Sequence, residues 1–310
     1  MLNKSNSRFY CTKIPYSMQI QSINVFRSYQ LGASLLLALG LTACTEKPST
    51  PPVTPPPVVP VVPVVNEGAK DYADYNTLVW SDEFDGSSLD QSKWGYDLGG
   101  GGWGNNEKQN YTNSGDNSFV SGGNLTIQAR RQQLGSNAYT SARLLTKGKK
   151  TFVFGRIDTR AKVPKGKGVW PAIWMLGADI DQNNWPKCGE IDIMELRGSR
   201  PKELLATMHF PDANGNRLLK GTTNTLPVDL SEDFHIYSVV RSKDQIRMYI
   251  DGVQYFTFGP GDTAGNYPFN NPFFMILNVA VGGDFDGDPD ASTVFPQQMQ
   301  VDYVRHYQYK

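Results

Sequence analysis

Downstream of residue 66 the sequence never sustains a helical period. It breaks into short runs, alternating or wholly apolar, each bounded by Gly, Asn, Asp or Pro. Runs of this length bury their apolar residues as strands. They include "NLTIQAR" (124–130), "FVFGRIDTRAKV" (152–163), "GVWPAIWML" (168–176), "GEIDIMEL" (189–196), "LATMHF" (205–210), "FHIYSVVR" (234–241), "QIRMYI" (245–250), "VQYFTF" (253–258), "FFMILNVAV" (273–281) and "MQVDYVRHYQ" (299–308). In "YIDGVQYF" the pair Asp251-Gly252 separates two alternating runs, which marks a tight hairpin with a primed turn. "RIDTRAKV" and "QVDYVRHY" alternate cleanly, so one face of each meets a core and the other is wetted. Residues 67–310 are therefore expected to form one all-β domain, a large β-sandwich or barrel with length enough to bury a core.

The preceding residues differ in kind. Residues 1–44 carry Lys4, Arg8, Lys13 and Arg27 and no acid, and their apolar run from Leu31 to Leu41 is too short for a span of about 20 helical residues. A run of this kind followed by "LTAC" resembles a lipoprotein signal peptide, with Cys44 lipidated and the protein anchored to a bacterial membrane. Thr45 is not the aspartate that often retains lipoproteins in the inner membrane, so a secreted, outer-membrane address is expected. Translation could begin at Met1 or at Met18. Residues 45–66, nearly all Pro, Val and Thr from Pro48 onward, read as a semi-rigid extended linker.

Without the first 44 residues, 26 basic face 30 acidic side chains, a balance that excludes a nucleic-acid partner and leaves a neutral polymer as a natural one. The chain is expected to act as a monomer. Cys188 would be the one thiol of the folded domain, without a disulfide partner, and reads as a small packed residue.

One strand carries a costly pattern. "WPKCGEIDIMELRG" places Glu190, Asp192 and Glu195 two and then three residues apart. In a regular strand Glu195 would face away from the other two, but a β-bulge at Ile193-Met194 returns it to their face and leaves Ile191 turned to the other sheet. Three aligned carboxylates raise one another's proton affinity, which a purely structural strand gains nothing from. A retaining glycosidase needs such a set: one carboxylate attacks the anomeric carbon and a second protonates the leaving oxygen. That chemistry uses no cofactor.

"GEIDIME" resembles the E-x-D-x-x-E signature of glycoside hydrolase family sixteen, in the bulged form of its laminarinases, agarases and carrageenases. "GGWGNNEKQNYT" (101–112), "GVWPAIWMLG" (168–177), "WPKCGEIDIME" (185–195) and the segments within 273–308 are similar to bacterial laminarinases, which are endo-β-1,3-glucanases. The resemblance implies a two-sheet jelly roll with a concave cleft that binds a polysaccharide, a β-glucan. It implies Glu190 as nucleophile, Asp192 as its assistant and Glu195 as acid/base. Trp170, Trp174 and Trp185 would line the cleft, with Asn105 and His209 as polar contacts; sugar rings suit aromatic planes and fixed hydrogen-bonding groups. It also implies a structural Ca²⁺ held by Asp302 and by backbone oxygens at Glu83 and Gly123.

Two segments depart from the laminarinase pattern. "GGDFDGDPD" (282–290) is more acidic than usual and reads as a solvated turn, and "ELRGSRPKE" adds Arg197 and Arg200, which would suit a charged or sulfated glycan. The alternatives are an agarase- or carrageenase-type hydrolase and a non-catalytic glycan-binding sandwich.

Overall fold

The computed structural model describes residues 68–309. The expected signal peptide, Cys44 lipidation site and linker lie outside the described residues. The strands in chain order are β1 (Thr77–Asp82), β2 (Gly95–Asp97), β3 (Gln109–Tyr111), β4 (Ser118–Ser121), β5 (Asn124–Leu134), β6 (Asn137–Ser141), β7 (Arg143–Leu145), β8 (Gly155–Lys162), β9 (Val169–Gly177), β10 (Glu190–Leu196), β11 (Glu203–Pro211), β12 (Arg217–Thr225), β13 (His235–Ser242), β14 (Gln245–Ile250), β15 (Val253–Phe258), β16 (Phe273–Val281) and β17 (Gln297–Gln308).

They form the expected all-β sandwich. One sheet of ten strands runs β15-β14-β13-β8-β17-β5-β6-β3, with β1 on β17 and β4 on β5; the other, of seven, runs β12-β11-β10-β9-β16-β7-β2. Pairing is antiparallel apart from β3 with β6. The hairpin read from Asp251-Gly252 joins β14 to β15, with both turn residues at positive φ. All of β16, "FFMILNVAV", is buried, as an unbroken apolar run at the middle of a covered sheet should be. Its Phe273, Met275, Leu277, Val279 and Val281 enter the inter-sheet core, while Phe274 and Ile276 pack with Leu145, Leu176 and Cys188 on the opposite face. Cys188 is a buried packing residue, its thiol pushed up to about 11 by burial.

The bulge predicted in β10 is present. Against β9, Asp192 opposes Trp174 and Met194 opposes Ile173; against β11, Asp192 opposes Thr207 and Glu195 opposes Leu205. One residue is therefore inserted, and both Ile193 and Met194 turn inward to join Ile191 and Leu196 in the core. The opposite sheet braces this insertion, because the Tyr255 hydroxyl on β15 donates to the Ile193 carbonyl at 2.5 Å. Tyr255→Phe should leave that bulge carbonyl unpaired, lowering stability by about 1–2 kcal/mol and reducing kcat as Glu195 loses its fixed aim. Denaturant melts and steady-state rates check both effects; unchanged values in both would show that the bulge stands without the brace.

Two boundaries differ from the sequence reading. β8 begins at Gly155 rather than Phe152, because Gly155 has φ 110° and a Cβ there would lie 2.5 Å from the Tyr307 carbonyl. Phe152 instead makes an isolated bridge to Phe273. β12 lacked any readable period, since it is an edge strand whose residues are nearly all exposed.

Candidate active site

The site lies on the seven-stranded sheet, where β9, β10, β11 and β16 place polar side chains on the face turned away from the core. Glu190 pairs across to His209 on β11 and Asp192 to Trp174 on β9, while Glu195 sits beside Ala172, whose small side chain leaves space above it. Around these residues runs a cleft of two lobes, of about 310 Å³ and about 580 Å³, which share Asn105, Trp170, Trp185, Glu190 and Glu195. The structure thus brings together Glu190, Asp192, Glu195, Asn105, Trp170, Trp174, Trp185 and His209.

The electrostatics are those of crowded, buried carboxylates. Burial, and next the Asp192 charge, push Glu190 up to about 8. Burial and the Glu195 charge hold Asp192 well above the usual carboxylate range, while its hydrogen bond with Glu190 opposes that rise. Glu195 is raised by burial, partly offset by hydrogen bonds from Trp170 and Thr207. Three neighbouring acids cannot all ionise, so they titrate as a set. When Asp192 carries the shared proton its charge no longer opposes ionisation of Glu190, which can then act as a nucleophile. Glu195, raised, keeps a proton to give.

The tryptophans are fixed by hydrogen bonds as well as packing. Trp170 Nε1 donates to Glu195 Oε1 at 3.1 Å, and its ring stacks on Phe285 at 4.5 Å. Trp174 Nε1 donates to Asn278 Oδ1 at 2.7 Å. Trp185, 43% exposed, offers an open ring over the cleft, 6.1 Å from His209.

Several cleft residues escaped the sequence reading. Arg143 lies between the rings of Trp103 and Trp174, at 4.8 and 4.6 Å. Glu107, buried and raised by that burial, accepts from Asn105, Gln109 and Tyr111. Tyr111 in turn accepts from Asn278, which completes a chain ending at Trp174. Arg217 Nε donates to His209 Nδ1 at 3.0 Å. Trp103, Glu107, Gln109 and Tyr111 had a local signal in the segment "GGWGNNEKQNYT"; Arg143, Asn278 and Arg217 meet it and His209 across strands distant in sequence.

The two departing segments turn out to hold each other. Gly198 bonds with Val169 and Gly166, and a Cβ there would lie 2.3 Å from the Gly166 carbonyl. Asp286 is buried, not part of a solvated turn as its segment suggested. It accepts from the Ser199 and Gly168 amides and from the Ser199 hydroxyl. Asp284 accepts from Asn106, Asp288 pairs with Lys108, and Asp290 caps Ser292, so these acids are used one by one. Arg197 lies 4.7 Å over Phe285, and both Arg197 and Arg200 are 3.4 Å from Glu203, which balances their charge locally.

Glu83 follows β1 and Gly123 lies in the β4–β5 turn; both flank β17 where Asp302 is bulged out between Val301 and Tyr303. Asp302 pairs with Arg160 at 2.6 Å and the Glu83 carboxylate is forked by Arg305, so both carboxylates already face a cation, while backbone oxygens are the donors a hard cation would use. In the cleft, donor atoms of Glu190, Asp192 and His209 all lie within 4.8 Å of one another, close enough to hold a metal ion.

Comparisons with known proteins agree with this geometry. The model of the family described as Glycosyl hydrolases family 16 matches residues 105–305. The chain is 43% identical over 256 residues to the Beta-glucanase of Rhodothermus marinus, an alignment covering 77% of this chain and 87% of that protein. It is 41% identical over 258 residues to Glucan endo-1,3-beta-glucosidase A1 of Niallia circulans, covering 74% of this chain but 37% of that longer protein. Among solved structures, the laminarinase catalytic domain from Thermotoga maritima superposes with a TM-score of 0.71 at 43% identity, covering 76% of this chain and 98% of that one.

Proposed function

The chain belongs to family 16 of the glycosyl hydrolases, and on that premise we propose that it is an endo-acting hydrolase of β-1,3-glucan that retains anomeric configuration. The observation that carries the chemistry is the β10 bulge, which aligns Glu190, Asp192 and Glu195 in one aromatic-lined cleft. Similarity to proteins named as a glucan endo-1,3-beta-glucosidase and a laminarinase supports the substrate.

Glu190 attacks the anomeric carbon while Glu195 protonates the departing glycosidic oxygen, and a glycosyl ester on Glu190 results. Asp192 holds the proton shared with Glu190 and steadies the nucleophile's orientation. In the second step Glu195, now a base, takes a proton from water, which displaces Glu190 and leaves the sugar in its original configuration. The Trp170 indole keeps Glu195 aimed throughout. Trp174 and Trp185 offer planes to sugar rings on either side.

Cys44 is the lipid attachment point and residues 45–66 a spacer that holds the enzyme off a bacterial outer membrane, supported by the "LTAC" sequence and the Pro/Val composition. No helix among the described residues is long and apolar enough to cross a membrane. A structural Ca²⁺ is held at Asp302, Glu83 and Gly123, supported by their oxygen donors and shared place beside β17.

The test is hydrolysis of laminarin, lichenan, agarose and carrageenan by residues 67–310, with products sized and the first-formed anomer followed by proton NMR. Laminarin should be cut internally, with the β-anomer released first. Inertness on all four, or α-anomer first, would overturn the proposal.

A further inference from the structure

We propose that Arg217 is a positioning residue that fixes the tautomer of His209, so that the imidazole presents its N–H to Asp192 and Glu190. The inference rests on the catalytic reading above for its consequence, but not for its geometry.

The register makes the arrangement. Glu190 on β10 opposes His209 on β11, and His209 opposes Leu219 on the exposed edge strand β12. Arg217 lies two residues before Leu219, so it shares that strand face and reaches His209 diagonally. Its Nε is 3.0 Å from His209 Nδ1. A guanidinium has five N–H donors and no acceptor, so Nδ1 must be the nitrogen that carries the lone pair. The ring proton of neutral His209 is thereby placed on Nε2.

Nε2 faces the acids, 3.2 Å from Asp192 Oδ2 and 3.6 Å from Glu190 Oε1. Asp192 Oδ2 is buried and makes no hydrogen bond of good geometry, so His209 Nε2, 3.2 Å away, is the donor placed to serve it. The opposite tautomer would turn a lone pair toward two carboxylates and set two N–H groups against each other. A second proton on the ring would also have to displace Arg217 from Nδ1. The outcome is a neutral donor beside the nucleophile, one that orients the carboxylates without forming an ion pair that would blunt Glu190. Arg217 is itself exposed, with its guanidinium 5.7 Å over the Trp185 ring, so its replacement leaves the core intact.

The test compares wild type, Arg217→Ala and Arg217→Lys by long-range proton–nitrogen NMR of the imidazoles and by kcat and KM on laminarin. The chain has three histidines, and His235 and His306 bond to Asp251 and to the Phe154 carbonyl, which separates their signals from that of His209. Wild type should show His209 protonated at Nε2. Arg217→Ala should populate the Nδ1-protonated form and lower kcat about 10- to 100-fold with KM little changed, and Arg217→Lys, which can still donate to Nδ1, should restore much of both. Nδ1 protonation in the wild type, an unaltered tautomer in Arg217→Ala, or a loss confined to KM would overturn the proposal. Because the spectra need no substrate, failure of the glucanase reading would leave the tautomer result standing and separately scored.

Discussion

Glu190→Gln is expected to lower kcat on laminarin by at least about 10⁴-fold while leaving the fold and substrate binding intact. The amide has the shape of the carboxylic acid but no charge and little nucleophilicity, so the glycosyl ester cannot form. Neither neighbour can substitute. Asp192 is buried beneath the same face and engaged with His209, and Glu195 is held on the far side of the bulge by Trp170 and Thr207. Steady-state rates, with binding of laminari-oligosaccharides measured calorimetrically, separate lost chemistry from lost binding. Turnover near the wild-type rate would remove Glu190 from the role assigned to it.

The same substitution should make the protein more stable, increasingly so as the pH rises. Glu190 is pushed up to about 8 from an ordinary value of 4.5. Between those values the folded protein holds a proton that the unfolded chain releases, so wild-type stability falls as pH rises through that window. Below it the carboxyl is protonated in both states and the penalty is absent; above it the full penalty applies. Glutamine carries no such penalty. The Tm of Glu190→Gln should therefore match the wild type, apart from a constant offset, near pH 4 and exceed it increasingly up to about pH 8. The gain should reach a few kcal/mol, or roughly 5–10 °C for a domain of this size. Thermal melts from pH 4 to 9 check it, and a difference independent of pH would show that Glu190 ionises as easily folded as unfolded. A gain that grows with pH would mark the site as function held against stability, with burial supplying both the reactivity and the cost.

The sequence was legible where one local rule decided the outcome. The uneven spacing of Glu190, Asp192 and Glu195 demanded an inserted residue, and β10 has it at Ile193-Met194. β14, β15 and β16 occupy the residues their patterns indicated, because Asp251-Gly252 fixes the first two and an unbroken apolar run the third. The spacing of Trp170 and Trp174 put both on one face, and both line the cleft.

Legibility failed where partners meet through space. β12 shows no period because neither face of it is buried, yet it carries Arg217 to His209. The short strands β2, β3, β6 and β7 are three to five residues long, too brief for periodicity to register, yet β7 brings Arg143 to the cleft wall and β3 sets Tyr111 behind it. Asp286 looked like one acid among several in a polar turn; its burial depends on Gly168 and Ser199, which no spacing rule connects to it. The segment "LRGS" was opaque for the same reason, since Gly198 is required by the backbone of Gly166 and Val169 rather than by its neighbours in sequence.

On the proposed mechanism, the β10 bulge delivers Glu190 as the covalent nucleophile of a retaining glucanase. Incubation with a 2-deoxy-2-fluoro β-laminaribioside bearing a good leaving group should trap the glycosyl-enzyme, and peptide mass spectrometry should find the sugar on Glu190. A label on any other residue, or steady hydrolysis with no covalent adduct formed, would contradict the account.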